Sequence, residues 1–431
     1  MSREKLAIDG GTPVRTTPLP NPYLGASVLG EEELSLLNEV IRNKAPFRAY
    51  GANPPHMVND FEAEARQYFG VRHALATATG SGSFYCAMAG LGIGPGDEVL
   101  IPSFSWHTDF EAPVLLGATP VFVDIDRSLN MDPDDLAKKI TPRTKAVIVV
   151  HFQGAAADMD RILALARSRQ IMVVEDCAQA FGAEYKGRKV GSLGDVACFS
   201  FQQNKVLVTG EGGLLLSNSP LVFERAARYH DLSFLRPALA AQLSEGPKEQ
   251  PFCGLQFRMN EFTGAVALAQ IRKIDRAVIS ITRAYHKKLL SLISDQCPGL
   301  VMRRSADPEG DAGIAFYMDL GTPVRGRWLK KALAAEGIRV GPSSSCKNLL
   351  QDAFITSKRL AHPALPPFGA DWPGEHVVYS PESCPNTDDI LESLVCVAMS
   401  PNYTEQDIED IARAIIKVWP MIPETEKELV S

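Results

Sequence analysis

The period of hydrophobic positions changes repeatedly along the chain, and those changes divide it. Val58, Phe61, Ala65 and Tyr68 recur at helical spacing and stop at Gly70, a helix-ending residue. Short β-branched runs then alternate with longer stretches of helical period. Residues 74–78, 98–101, 119–124, 146–151, 171–175, 197–201 and 213–217 read as strands. Helices are expected at 83–91, 108–116, 133–139 and 159–168. Strand–helix–strand alternation implies an α/β fold, with a mostly parallel central sheet covered by helices on both faces.

On either side of this region the pattern is different. Residues 1–57 are rich in Pro and Gly, with one helical stretch at 31–42. Beyond about residue 275 come a long helical region (274–293), a strand-like run (313–320) and a helix (327–336). A Pro/Ser-rich irregular stretch (341–385) and a closing amphipathic helix (405–418) follow. The expected organisation is therefore an N-terminal segment (1–57), a large domain (58–275) and a smaller α+β domain (276–431) packed with that segment. A chain of 431 residues is too long for one hydrophobic core.

Composition narrows the function classes. Hydrophobic residues make up 45% of the chain, charged residues 22%, and the formal net charge is −7. An acidic chain offers no footprint for nucleic acid or an anionic membrane. No apolar run reaches the roughly 18 residues that span a bilayer, and Met1-Ser-Arg-Glu-Lys lacks the apolar stretch expected of a signal peptide. A cytoplasmic location is expected. The eight cysteines are scattered singly without a CxxC pair, so they read as buried thiols, and no metal site is expected.

Open parallel sheets bind ligands beyond the carboxyl ends of their strands, and this chain collects its polar and aromatic residues there. Thr79-Gly-Ser-Gly-Ser, before a helix, reads as a phosphate cradle or as a tight turn with a capping hydroxyl. Asp176, ending an apolar strand, reads as a helix cap or as a charge partner for a heterocyclic nitrogen. Trp106 is core or a flat surface for an aromatic cofactor. Lys205 is a solvated surface amine or, in the otherwise uncharged stretch 198–210, a desolvated amine suited to Schiff-base chemistry.

Five segments together carry a resemblance. They are Gly92-Ile-Gly-Pro-Gly-Asp-Glu-Val, Gly117-Ala-Thr-Pro-Val-Phe-Val-Asp-Ile-Asp, Glu175-Asp-Cys-Ala-Gln-Ala, Tyr185-Lys-Gly-Arg-Lys-Val-Gly-Ser-Leu-Gly-Asp and Ser200-Phe-Gln-Gln-Asn-Lys with Gly210-Glu-Gly-Gly. In order and spacing the chain resembles the DegT/DnrJ/StrS aminotransferases, fold-type I pyridoxal-phosphate enzymes of keto-sugars and keto-cyclitols. The resemblance runs from about Leu6 to about Ile416. It implies that Lys205 forms the Schiff base with pyridoxal 5′-phosphate and that Asp176 pairs with its ring nitrogen. Gln179 is implied to lie near the phenolic oxygen and Trp106 to stack on the ring. Ser81, Gly82 and Ser200 are implied to hold the phosphate, and His151 and Asp158 to be structural. It also implies a homodimer with shared active sites and ping-pong transfer from an amino acid, glutamate or glutamine, to a keto-sugar or keto-cyclitol. Secondary metabolism is the expected setting.

There are departures from the family pattern. The usual Ser-Gly-Thr turn is Thr79-Gly80-Ser81, which keeps a hydroxyl. Asn-Tyr-Arg-Met appears as Gln256-Phe257-Arg258-Met259, so Gln256 replaces the asparagine that reaches the partner's phosphate. His107, His230 and Tyr317 are weighed as substrate contacts, with packed polar residues the favoured reading. Rival functions are a different pyridoxal-phosphate reaction, such as elimination, decarboxylation or oxidation, and a non-catalytic regulator. Lys205 argues against the relatives that carry histidine there and act as dehydratases.

Overall fold

The computed structural model of the protein describes residues 4–341 and 346–423. All seven expected strands join one sheet: β1 (His73–Thr77), β2 (Glu98–Pro102), β3 (Thr119–Val123), β4 (Thr144–Val150), β5 (Met172–Asp176), β6 (Val196–Ser200) and β7 (Gly213–Ser217). Their order is β1-β7-β6-β5-β4-β2-β3. Neighbours are parallel except that β7 lies antiparallel between β1 and β6. The strands are buried almost throughout, which explains why they read as continuous apolar runs rather than alternating ones.

The antiparallel insertion positions the site. Because β7 pairs Gly213 with both Thr77 of β1 and Ser200 of β6, the ends of β1 and β6 are brought to the same edge. Asp176 closes β5 at that edge, opposite Val150 of β4.

Helices cover both faces. α1 (Glu31–Asn43) and α2 (Met57–Phe69) lie on one side, and α3 (Gly80–Leu91) and α4 (His107–Leu115) follow β1 and β2. α5 (Pro133–Lys139) and α6 (Met159–Ser168) match expectation, the latter capped by Asp158 accepting the Arg161 amide at 3.3 Å. Two buried clusters flank the sheet, one around Phe61, Phe199 and Phe201 and the other around Phe84, Phe110 and Phe223.

Two helices in the middle of the chain, α7 (Pro220–Tyr229) and α8 (Glu261–Ile271), complete these layers. α8 is apolar nearly all round, so it carries little amphipathic signature. Beyond it the expected long helix is interrupted: a π-turn at Asp275–Ile279 precedes α9 (Ser280–Ile293). A second sheet pairs β8 (Ala315–Asp319) antiparallel with β9 (Leu394–Ala398). α10 (Pro323–Ala335) begins earlier than its periodicity suggests, because Pro323 is suited to the first helical turn. With α12 (Glu405–Val418) these elements enclose a third cluster that includes Leu6, Phe316, Leu333 and Ile411, while α11 (Thr387–Ser393) places Ile390 in a fourth with Phe104, Phe152 and Tyr317.

The irregular stretch expected at 341–385 falls partly outside the described residues, at 342–345. The rest makes long-range contacts with the large sheet. Leu349, Leu350, Ile355, Phe368 and Tyr379 enter the cluster on its Phe110 face. Asp124 anchors the end of this segment, accepting the Asn386 amide at 2.9 Å and the Thr387 hydroxyl at 2.7 Å.

α2 and α8 approach each other closely at Gly264, where an added Cβ would lie 2.6 Å from Val58 Cγ2 and 2.8 Å from the Val58 amide nitrogen. Backbone cannot yield as a side-chain tip can. Gly264→Ala is expected to destabilise the protein by about 1–3 kcal/mol. A denaturant midpoint equal to wild type would show that the helices separate without penalty.

Candidate active site

A cavity of about 380 Å³ opens at the sheet edge described above. Its wall takes residues from the segments that follow β1, β2, β4, β5 and β6, with Leu24 and Cys346 closing it from either end of the chain.

One end suits an anion. The Thr79 hydroxyl oxygen accepts the Gly82 amide at 2.9 Å, starting α3 directly after β1. The earlier amides, of Gly80 and Ser81, precede the helical hydrogen-bond ladder and are the groups a helix start offers to a phosphate. Ser81 Oγ lies 2.8 Å from Thr108 Oγ1. Ser200 packs against Gly80 so tightly that a Cβ there would come within 2.6 Å of the Ser200 Cβ. Gly82 itself is not in the wall; its amide is held by Thr79, and its missing side chain makes room for Phe257.

The other end is acidic and dry. Asp176 is 5% exposed, and its Oδ1 accepts the Ala178 amide at 2.8 Å. Burial raises its pKa, opposed by that amide and by the charge of Lys205. Asp109, from the first turn of α4, is 1% exposed and lines the same cavity. Burial, and then the charge of Asp176 within hydrogen-bonding reach, push the Asp109 carboxyl well above the usual carboxylate range.

Behind Asp176 lies a fully buried network. His151 Nδ1 accepts the Ala157 amide at 3.1 Å, so the ring is neutral and its Nε2–H donates to Glu175 Oε2 at 3.0 Å. Glu175 also accepts the amides of Gly191 (2.8 Å), Leu193 (2.8 Å) and Gly194 (2.7 Å). Burial alone would raise the Glu175 pKa, but the His151 hydrogen bond and the backbone donors outweigh it and lower it. Cys177 stands beside this pair, its thiol pushed up by burial. The ring nitrogens and carboxylate oxygens of the cluster are thus already engaged as a hydrogen-bond network.

Lys205 sits in a turn beyond β6, where its amide donates to the Gln202 carbonyl at 2.9 Å and its carbonyl accepts the Gly25 amide at 3.3 Å. The N-terminal segment therefore braces the lysine loop. Trp106, 46% exposed, forms an aromatic part of the wall. Gln179 donates to Cys346 Sγ at 3.3 Å, and its buried Oε1 has no partner among the described residues. An anion site, an aromatic surface, an amine, buried carboxylates and an orphaned amide oxygen in one cavity fit a phosphorylated pyridine aldehyde.

Of the residues singled out from sequence, Ser81, Trp106, Asp176, Gln179, Ser200 and Lys205 come together here. Gln256 does not line the cavity of its own chain; it is exposed and bridges Asp231. His107, His230 and Tyr317 also lie outside the wall. His107 pairs with Asp352 at 2.7 Å. His230 is buried, held by the Ala227 carbonyl at 2.6 Å, and burial lowers its pKa to about 4. The Tyr317 hydroxyl donates to Gln153 Oε1 at 2.7 Å. Each is a packed polar residue.

Sequence reasoning missed Asp109, Gln153 and Cys346 in the wall. Asp109 follows Trp106 by three residues at a strand end already marked as a ligand edge, which was an available signal. Gln153 adopts φ 45°, ψ 51°, a left-handed backbone rare for a non-glycine residue and visible only in three dimensions.

Because the folded pKa of Glu175 is lowered, its stabilisation is present above its ordinary value of 4.5 and is lost as pH falls through the folded value. Glu175→Gln leaves at least one buried amide facing an N–H group. It should cost roughly 1–3 kcal/mol near neutral pH and flatten the acid limb of the stability profile. Thermal unfolding from neutral to acid pH reads both, and a variant with an unchanged acid limb would contradict the assignment.

A model of the DegT/DnrJ/EryC1/StrS aminotransferase family matches residues 28–340. An L-glutamine:2-deoxy-scyllo-inosose aminotransferase of Streptoalloteichus tenebrarius is 37% identical over 324 residues, covering 73% of each chain. The GDP-perosamine synthase of Caulobacter vibrioides is 39% identical over 239 residues, 54% of this chain and 62% of that protein. The crystal structure of a 3-amino-5-hydroxybenzoic acid synthase superposes with a TM-score of 0.75 at 25% identity, over 95% of this chain and all of the other.

Proposed function

Since the chain belongs to the DegT/DnrJ/EryC1/StrS aminotransferase family, we propose that it is a pyridoxal 5′-phosphate enzyme moving the amino group of L-glutamine to a keto-cyclitol in secondary metabolism. The observation that carries the choice of acceptor is the breadth of the match. Similarity to the glutamine:inosose enzyme spans 73% of this chain, whereas similarity to the GDP-perosamine synthase spans 54%. The higher identity of the latter favours a second reading, in which the acceptor is a nucleotide-linked keto-sugar.

When bound, the cofactor supplies an aldehyde that takes up the amino group and a ring that stores an electron pair. The protein does the rest. The Ser81 and Ser200 hydroxyls and the first amides of α3 hold the phosphate, and Trp106 covers one ring face. Asp176 keeps a proton on the ring nitrogen. Gln179 orients the phenolic oxygen. With the cofactor bound, the Lys205 amine would hold it covalently and, once freed by the donor, would serve as the base and acid that carries a proton from the donor's α-carbon to the cofactor's C4′ carbon. Leu24, Phe84 and Ile314 in the wall limit water. The same reading includes a cytoplasmic homodimer with shared active sites, the exposed Gln256 reaching the partner's phosphate, and the division into 1–57, 58–275 and 276–431. No helix of the described residues is long and apolar enough to cross a membrane.

L-Glutamine added to the holoenzyme should convert the cofactor to its amine form, read by absorbance, and 2-deoxy-scyllo-inosose should reverse the change. Reversal only by a GDP-linked keto-sugar would establish the second reading, and no response to any donor would exclude transamination. Lys205→Ala should lower turnover by roughly 10²–10⁴-fold or more; wild-type turnover would remove the lysine from the mechanism.

A further inference from the structure

Asp109 has a hydrogen-bonding deficit that a proton shared with a neighbouring carboxylate removes. Its Oδ2 accepts the Ser105 hydroxyl, whereas its buried Oδ1 has no donor among the described residues. The group within hydrogen-bonding reach is the Asp176 carboxylate, itself an acceptor. Two desolvated carboxylates at that range cannot both be ionised. A single proton between them turns Asp109 Oδ1 into a donor and satisfies both groups.

The donor sets decide which residue carries the proton. Asp176 has the Ala178 amide at 2.8 Å, while Asp109 has only the neutral Ser105 hydroxyl. The other titratable groups that face the pair do not supply a second charge to Asp109. Lys205 acts on both carboxylates. His151 is neutral, with Nδ1 accepting from Ala157. The thiols of Cys177 and Cys198 are held protonated by burial. The start of α4 favours a charge on Asp109, but it does not overcome full desolvation beside a second carboxylate.

We propose that Asp109 is a positioning residue that, as a neutral acid, donates a hydrogen bond to Asp176 and keeps that carboxylate ionised and aimed at the cofactor's ring nitrogen. The cofactor part of this proposal rests on the pyridoxal-phosphate reading above; the shared proton does not. Since Asp109 binds a proton in the folded protein that it would lose on unfolding, its contribution to stability falls as pH rises above its ordinary value of 3.8.

The cofactor-free protein gives the first test. Its infrared spectrum at neutral pH should contain the carbonyl stretch of a protonated carboxylic acid, absent in Asp109→Asn. The melting temperature of Asp109→Asn relative to wild type should also increase as pH rises from acid to neutral. Persistence of the band in the variant, or a melting difference independent of pH, would overturn the proposal.

The second test uses pyridoxal phosphate itself. Asp109→Ala should weaken its binding by about 10–100-fold, the value of one hydrogen bond to a charged group, and displace the pH titration of the bound cofactor's absorbance. Asp109→Asn, whose amide can still donate to Asp176, should restore binding close to wild type. An alanine variant that binds and titrates as wild type does would overturn the positioning role. If wild type binds no pyridoxal phosphate while the infrared band is present, the cofactor reading fails and with it the ring-nitrogen role, but the shared proton stands. Should the alanine variant not fold, the asparagine variant and the infrared band still decide.

Discussion

A carboxylate taken out of water must be given donors by the protein around it, and this site is organised by that requirement. Three carboxyl groups crowd the end of β5 with almost no solvent: Glu175 and Asp176 are consecutive, and Asp109 reaches them from α4. Glu175 points into a shell of three amides and a neutral imidazole, which lets it remain charged. Asp176 points the other way, into the cavity, and has a single backbone donor there. Beside Glu175 it has few donors, and that leaves it room to accept from a heterocyclic N–H. The backbone turn at 191–194 is thus a support for the site as well as a connection between strands.

The same edge is where distant parts of the chain are joined. Gly25 binds the carbonyl of Lys205, and Cys346 closes the cavity against Gln179. Asp124 fixes the segment that ends at Thr387. A cavity walled by residues as far apart as Leu24 and Cys346 depends on this cross-bracing, because several of its chemically active side chains stand on turns rather than on strands. Sheet strands set the depth of the site, and the flanking segments close it.

Much of this was legible in the amino-acid order. Buried strands announce themselves as β-branched runs, and the ligand edge follows from parallel topology, so Lys205, Asp176 and Ser81 were found where the sheet places them. What stayed hidden depends on long-range packing. Residues 349–384 look irregular because their apolar side chains answer to the surface of the large sheet and not to a local period. Asp109 resembles any acidic residue in a helix's first turn until Asp176 is seen beside it. Tyr317 and His230 offered polar groups that the fold had already committed to Gln153 and to the Ala227 carbonyl. In each case the residue type was visible in sequence, but its partner was not.

The proposed chemistry requires Lys205, alone among the lysines, to present its amine to pyridoxal phosphate held between the α3 start and the buried carboxylates. Borohydride reduction of the holoenzyme followed by peptide mapping measures this directly. A phosphopyridoxyl group is expected on the peptide containing Lys205 and on no other. A label on a different lysine, or none in protein that retains stoichiometric cofactor, would contradict it.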